Sequence, residues 1–252
     1  MVVKDVYFAY FLLGLIALAA VGYSVRLATR GVARSERVGR IGGTVLVNQE
    51  LMDWTYWAVE PIVRALSALG ITANNLTWSA LVLGLGAGVA LAWAQWGLAT
   101  LLSTASVICD ILDGQVARAS KTGSSRGELL DAAVDRYTEF AFLAGLAIWF
   151  HDSAWRLALV LATMLACYMV SYASAKAEAM QVAPPRGLMR RHERSTFLIL
   201  GIGLTSVLGD YLHARVPGLP DHSFVIAGLA MVAVIGNFAA VTRLVRIGRA
   251  LR

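Results

Sequence analysis

Residues 98–135 read LATLLSTASVICDILDGQVARASKTGSSRGELLDAAVD. The stretch begins as an apolar run, acquires acidic residues, passes through a short basic loop, and then starts a second run that again carries acids. A membrane-crossing helix needs roughly 20 mostly apolar residues. We therefore predict spans over 98–117 and 129–150, with the basic loop between them on the cytoplasmic side.

The composition of the whole chain supports a membrane protein. Of 252 residues, 58% are hydrophobic and 15% are charged, whereas soluble domains are about a quarter charged. The net charge of +6 is typical of cytoplasmic loops in a membrane protein, so we expect no nucleic-acid partner. Cys109 and Cys167 lie in apolar stretches, which argues against a disulfide framework.

Apolar runs of spanning length recur along the chain and predict an all-α, polytopic membrane protein. Seven spans are expected, over 6–25, 76–94, 98–117, 129–150, 155–177, 196–212 and 224–244. A turn at Gln95-Trp96-Gly97 and another at His151-Asp152-Ser153 would reverse the chain outside the membrane. Arginines concentrate on alternate connections, which places the N-terminus outside and the C-terminus inside.

Two further segments complete the predicted organisation. Residues 1–43 form an N-terminal transmembrane helix and a basic cytoplasmic linker that carries Arg34, Arg37 and Arg40. Residues 44–252 form the main membrane domain, which opens with a helix whose apolar residues recur at three- and four-residue spacing. Its tryptophans and tyrosine suit the headgroup region, so this helix is expected to be interfacial, although Pro61 would interrupt an ideal helix.

Four aspartates stand where membrane helices usually avoid charge. Asp110 and Asp113 are three residues apart, and Asp131 and Asp135 are four apart, so each pair occupies one helix face. Because a loop of only about a dozen residues joins the two helices, we expect them to be antiparallel neighbours whose acidic faces converge. The carboxylates would then repel one another unless a cation binds. Carboxylate oxygens favour Mg²⁺ or Mn²⁺, and four carboxylates can hold two ions. Capping or pairing with nearby arginines is the alternative for one or two of them.

Small residues flank the aspartates and leave room for a bulky ligand. Gly114 and Ala117 share the face of Asp113, while Gly127 precedes Asp131 by one turn. Arg118 adds a fixed positive charge that suits phosphate oxygens. The combination indicates a metal-held phosphoanhydride, and no Gly-rich GKS/T loop is present to suggest a P-loop.

The pattern Asp110-x2-Asp113-Gly114-x2-Ala117-Arg118-x8-Gly127-x3-Asp131-x3-Asp135 resembles the full signature of the CDP-alcohol phosphatidyltransferase family. The run ITANNLT at 71–77 also resembles the family's TPN-x-x-T element, with Ala73 where proline is usual. The resemblance implies a six-helix catalytic bundle with an interfacial helix, usually a homodimer. It also implies transfer of a phosphatidyl group from CDP-diacylglycerol to an alcohol, with release of CMP, in the phospholipid biosynthesis of a cytoplasmic (inner) membrane.

The resemblance assigns roles to individual residues. Asp110, Asp113 and Asp131 would be metal ligands, and Asp135 would help hold the second metal and act as general base. The expected CDP-binding residues are Asn74, Asp110, Gly114, Ala117, Arg118 and Gly127. The active site would face the cytoplasm.

The acceptor is indicated by a second pair of segments, 171–178 and 186–194. They resemble the SY-x-x-A-R-A-E and G-L-x-x-R-x-E-R stretches of family members with phosphorylated acceptors, which assigns acceptor binding to Lys176, Arg191 and Arg194. Lys176 replaces the usual arginine, and Ser174 stands where a basic residue is frequent. Inositol phosphate is the favoured acceptor and glycerol 3-phosphate the alternative. For Arg186 and Arg190, the positive-inside bias of cytoplasmic loops is as good an explanation as acceptor binding.

A cation-coupled transporter is the alternative from another functional class, because intramembrane aspartates also occur there. A transporter of this kind is expected to have polar residues in several spans and helices that are interrupted near the membrane midplane. Here the acids gather at one cytoplasmic end, which favours the enzyme.

Overall fold

The computed structural model describes residues 5–31, 49–182, 187–216, 218–220 and 222–251. Within these ranges every regular element is a helix, which confirms the all-α prediction. They are α1 (Val6–Arg30), α2 (Gln49–Ala68), α3 (Ala73–Ala92), α4 (Trp96–Ala119), α5 (Ser125–Trp149), α6 (Ala154–Ala179), α7 (Arg191–Arg215) and α8 (Ser223–Ala250). The predicted basic linker with Arg34, Arg37 and Arg40, the boundary at 43/44, and Arg186 lie outside the described residues.

Among the described helices, six are long and apolar enough to cross a membrane: α1, α3, α4, α6, α7 and α8. The protein is therefore a multi-pass membrane protein. The remaining predicted span is α5, which has 25 residues but is too rich in acidic and basic side chains to qualify by apolarity. Its charged face turns toward the site described below.

Helix α4, which carries Asp110 and Asp113, begins earlier than predicted from the sequence. The turn predicted at Gln95-Trp96-Gly97 is wrong in position, because Trp96 and Gly97 already belong to the first turn of α4. The carboxylate of Asp5 accepts hydrogen bonds from the backbone N–H of Gly97 (2.7 Å) and Leu98 (2.9 Å). An acceptor from a distant part of the chain thus caps α4, and it fastens α1 to the bundle.

The amphipathic helix α2 packs beside the acidic end of α4. Val59 and Val63 are buried with Leu76, Leu112 and Val116. The helix continues through Pro61 without the predicted interruption. The α2 side of the bundle therefore covers the base of the candidate site.

Close backbone contact ties α3 to α5. A Cβ added at Gly88 would lie 2.3 Å from the carbonyl oxygen of Ala141, and one at Gly145 would lie 2.1 Å from the carbonyl oxygen of Gly88. Side chains larger than hydrogen are excluded at both positions, so the helices approach as closely as small-residue packing allows. The main core continues from here through Leu91, Leu143 and the buried residues of α7 and α8.

The helices that carry the aspartates are not packed as predicted. We expected α4 and α5 to be antiparallel neighbours, but each packs mainly against α3. The shared partner holds them side by side and leaves a gap between their acidic ends. This gap forms the candidate site.

Candidate active site

Three of the four predicted carboxylates converge across the gap. One oxygen from each of Asp110, Asp113 and Asp131 lies within 4.8 Å of the others. Asp110 and Asp113 come from the last turns of α4, and Asp131 comes from the second turn of α5. Two helices thus present three acidic side chains to one small volume.

A threonine from the third helix fixes one of these carboxylates. The hydroxyl of Thr77 on α3 donates a hydrogen bond of 2.6 Å to Oδ2 of Asp113, and both residues are buried. One oxygen of the carboxylate is thereby engaged, which restrains the side chain. Sequence reasoning did not name Thr77 as a site residue, although it is the final threonine of the TPN-like run.

The chemistry of the cluster fits a divalent cation. Hard oxygen donors in this number suit Mg²⁺ or Mn²⁺. Oδ1 of Asp131 is buried and has no hydrogen-bond partner among the described residues, although a buried carboxylate oxygen normally has one. A bound cation would supply that partner. Asp110, Asp113 and Asp131 are therefore the residues that can hold the metal.

Asp135 lies beside this cluster and contacts Arg191, which was predicted to bind the acceptor alcohol. Nη1 of Arg191 is 2.6 Å from Oδ1 of Asp135 and 2.6 Å from Oδ1 of Asp110. A single guanidinium nitrogen therefore bridges the acidic ends of α4 and α5. Nη2 of Arg136 is 3.7 Å from the other oxygen of Asp135, so positive charge flanks that carboxylate on both sides.

The residues predicted to bind CDP gather at three helix ends around the carboxylates. A Cβ at Gly127 would lie 3.8 Å from Oδ1 of Asn74, which places the start of α5 against the start of α3. A Cβ at Gly114 would lie 3.1 Å from Nη1 of Arg118, so that guanidinium folds back over the glycine. Ala117 follows on the last turn of α4, where it is half-buried.

Arg194 is deeply buried, and each of its guanidinium nitrogens donates a hydrogen bond. Its Nε and Nη2 donate to the two oxygens of Glu139 at 2.9 and 3.2 Å, and its Nη1 donates to the carbonyl of Met189 at 2.9 Å. Nη2 also lies 3.3 Å from Oγ of Ser171. Glu139 was missed by sequence reasoning, even though it continues the four-residue spacing of Asp131 and Asp135 along α5.

The other predicted acceptor residue, Lys176, is exposed near the end of α6, and its side chain makes no hydrogen bond or ion pair within the described part of the chain. Two residues earlier, Ser174 accepts a 2.9 Å hydrogen bond from Nη1 of Arg243 on α8. The position where a basic residue was expected is therefore adjacent to a guanidinium from another helix. Arg243 was missed because it belongs to a run of arginines that topology alone explains.

Together, the helical bundle and its converging carboxylates define an integral-membrane, metal-dependent enzyme. The sequence model described as CDP-alcohol phosphatidyltransferase matches residues 70–242. The chain belongs to this family, and it is a phosphatidyltransferase. Membership favours the enzyme over the cation-coupled transporter.

The chain is also similar to individual members of the family. The chain is 33% identical over 156 residues to phosphatidylinositol phosphate synthase of Corynebacterium glutamicum, covering 59% of this chain and 70% of the relative. It is 30% identical over 192 residues to the enzyme of the same name from Mycobacterium tuberculosis, covering 73% and 82%. A crystal structure of the Mycobacterium tuberculosis enzyme in complex with manganese and citrate superposes with a TM-score of 0.64 at 25% identity, covering 74% of this chain and 87% of that one.

Proposed function

We propose that the protein transfers the phosphatidyl group of CDP-diacylglycerol to a hydroxyl of a phosphorylated polyol and releases CMP. Inositol phosphate is the favoured acceptor. The observation that carries the proposal is the convergence of Asp110, Asp113 and Asp131, with Asp135 beside them. The names of the relatives, both phosphatidylinositol phosphate synthases, support the choice of acceptor.

The three converging carboxylates would hold Mg²⁺ or Mn²⁺, and Asp135 would contribute to a second ion. When bound, the metal neutralises the diphosphate and the charge that develops on the departing CMP. Six residues around the metal would bind and orient the CDP group: Asn74, Asp110, Gly114, Ala117, Arg118 and Gly127. The two glycines leave space for the nucleotide, and the Arg118 guanidinium pairs with phosphate oxygens.

Asp135 is the proposed general base. Its carboxylate takes the proton of the acceptor hydroxyl, whose oxygen then bonds to the phosphorus that bears the lipid while the bond from that phosphorus to the CMP oxygen breaks. Arg191 bridges Asp135 and Asp110, so it holds the base next to the metal ligands. Catalysis of this kind depends mostly on positioning and electrostatics.

The acceptor phosphate is proposed to meet the cations on the α6 and α7 side. Lys176 is exposed there, and Arg191 lies between the acceptor side and the carboxylates. Since each guanidinium nitrogen of Arg194 already donates a hydrogen bond within the bundle, we propose that it contributes to the acceptor site as a positioning residue. It would act through Glu139 and the Met189 carbonyl.

The protein is proposed to lie in the cytoplasmic (inner) membrane as a homodimer, with its N-terminus outside and the site facing the cytoplasm. Arginine-rich connections at the site end of the bundle support this orientation. Accessibility of single cysteines introduced at residues 121 and 152 to a membrane-impermeant reagent tests it. Labelling of only residue 152 in intact cells is expected.

The function is tested by CMP release from CDP-diacylglycerol with Mg²⁺ or Mn²⁺ and a set of acceptors. The set contains inositol phosphate, glycerol 3-phosphate, inositol, serine and choline. We expect release with inositol phosphate and little with the unphosphorylated alcohols. Release only with glycerol 3-phosphate would change the acceptor, and no release with any of them would overturn the proposal.

A further inference from the structure

A cavity extends from the candidate site into the membrane-spanning part of the bundle. It lies between α3, α4, α5 and α7 and is partly open to its surroundings. Arg191 and Glu139 line its site end, and Phe142, Leu198 and Ile199 line its apolar part. Arg191 also contacts Asp110 and Asp135, so the cavity lies next to the carboxylates.

Along α4, α5 and α7, charged residues of the candidate site are followed by hydroxyl-bearing residues that line the cavity. On α4, Ser103, Ser106, Asp110 and Asp113 follow one another at spacings that put them on one face. On α5 the order from the site inward is Asp135, Thr138 and Phe142, and on α7 it is Arg191, Ser195 and Leu198. On α4 and α7 charge therefore comes first and hydroxyl groups next, with an apolar side chain after them on α7. On α5 a second charged residue, Glu139, stands between Thr138 and Phe142, and it is paired with Arg194.

Among the described residues, the hydroxyl of Ser103 is buried at the cavity without a hydrogen-bond partner. Ser106 donates to the carbonyl of Ala80 at 2.8 Å, and Thr138 donates to the carbonyl of Asp135 at 3.1 Å. Ser103 is 6% exposed, lines the cavity, and its Oγ has no hydrogen-bond partner among the described residues. A buried hydroxyl without a partner is costly, and because Ser103 lines the cavity, a ligand bound there can supply the acceptor.

The position of Ser103 along α4 indicates which ligand atom accepts a hydrogen bond from its hydroxyl. It lies seven residues before Asp110 on the same helix, which corresponds to about 10 Å along the axis at 1.5 Å per residue. In a CDP-linked diacylglycerol, the ester carbonyls are a few covalent bonds beyond the diphosphate, and the acyl chains follow. A lipid with its diphosphate at the aspartates would thus meet charge, hydroxyl groups and apolar side chains in the order that α7 presents them.

We propose that this cavity receives the glycerol ester region of the CDP-linked lipid, with the Ser103 hydroxyl donating to an acyl ester carbonyl. Ser103 then makes the enzyme select ester-linked over ether-linked donors, because an ether oxygen is a weaker acceptor placed differently. This inference rests on the proposed function, since it takes the donor to be a CDP-linked lipid.

The test compares CDP-diacylglycerol with CDP-dialkylglycerol of equal chain length, using the full-length protein in detergent. The ratio of kcat/KM for the two donors is measured by CMP release, and the affinity for each donor is measured separately without acceptor. We expect the wild-type protein to prefer the ester donor by about three- to tenfold, the range that one net hydrogen bond supplies. Ser103→Ala should bring the ratio to about one, and Ser103→Thr should keep most of it.

Thr104→Val is the matched control. Thr104 is the next residue on α4, and its hydroxyl is also buried without a partner among the residues that the structure describes, but it does not line the cavity. The control should keep the wild-type ratio. Equal use of both donors by the wild-type protein, or an unchanged ratio in Ser103→Ala, would overturn the inference while CMP release upholds the function. If the protein neither binds nor turns over either donor, that result would refute the proposed function and the inference together.

Discussion

Arg194 and Glu139 form a two-point ion pair inside the bundle, with Nε to Oε1 at 2.9 Å and Nη2 to Oε2 at 3.2 Å. The arginine is only 1% exposed. Removing one member of such a pair leaves a buried charge without compensation. We therefore expect Glu139→Ala to destabilise the protein by about 3 to 5 kcal/mol, seen as a large fall in the thermal unfolding midpoint in detergent.

A second ion pair in the chain provides the control. Arg64 and Glu60 are 2.8 Å apart on α2, but their side chains are 73% and 57% exposed. Exposed pairs contribute at most about 1 kcal/mol, so Glu60→Ala should hardly move the midpoint. Equal shifts for the two variants would show that the buried pair contributes no more than an exposed one.

Thr77→Val tests whether the threonine positions a metal ligand. The valine keeps the volume but removes the 2.6 Å hydrogen bond to Asp113. Partners that orient a ligand typically change metal affinity by about 10- to 100-fold. The concentration of Mn²⁺ that gives half-maximal CMP release should rise by that factor, whereas KM for the CDP-lipid should change little. Thr77→Ser should restore the wild-type value, and an unchanged Mn²⁺ requirement in Thr77→Val would contradict the role.

Gly88→Ala tests the close contact between α3 and α5. The added methyl would lie 2.3 Å from the carbonyl oxygen of Ala141, and overpacking of this kind costs about 1 to 3 kcal/mol. Gly86→Ala, on the same helix, would meet only the flexible end of Leu102 at 3.4 Å. It should be neutral or stabilising, since alanine favours helix by about 1 kcal/mol over glycine. Thermal unfolding of both variants measures the difference, and a stable Gly88→Ala protein would contradict the packing described.

Much of the candidate site could be predicted from sequence because helical periodicity is local. Spacings of three and four residues place Asp110 with Asp113 and Asp131 with Asp135 whatever the rest of the chain does. The interaction of Asp5 with Gly97 spans 92 residues, and no local pattern indicates that α4 is capped from so far away.

The relation between α4 and α5 was missed for the same reason. A short connection brings two helices together, but it does not decide whether they pack on each other or on a third helix. The glycines at 88 and 145 decide it, because their backbone contacts draw α5 onto α3. Glu139 shows a different limit, since its spacing was visible in the sequence but its partner Arg194 comes from α7.

Asp135→Asn tests the general base. The amide has nearly the same shape but cannot take the proton of the acceptor hydroxyl, and a positioned base typically contributes about 10²- to 10⁴-fold in rate. CMP release should fall by at least that factor while the unfolding midpoint stays near the wild-type value. Asp152→Asn, at an exposed acid in the turn between α5 and α6, should leave turnover unchanged. Near-normal turnover in Asp135→Asn would contradict the base assignment.

The central claim is that the converging aspartates hold the divalent metal that phosphatidyl transfer requires, and titration of CMP release with Mn²⁺ measures this most directly. The wild-type protein, stripped of metal by a chelator, should release no CMP from CDP-diacylglycerol with inositol phosphate and should recover as Mn²⁺ is added. Asp131→Asn, which alters a ligand within 4.8 Å of the others, should not recover at any Mn²⁺ concentration. Turnover that resists the chelator, or an Asp131→Asn protein that responds to Mn²⁺ like the wild type, would contradict the account.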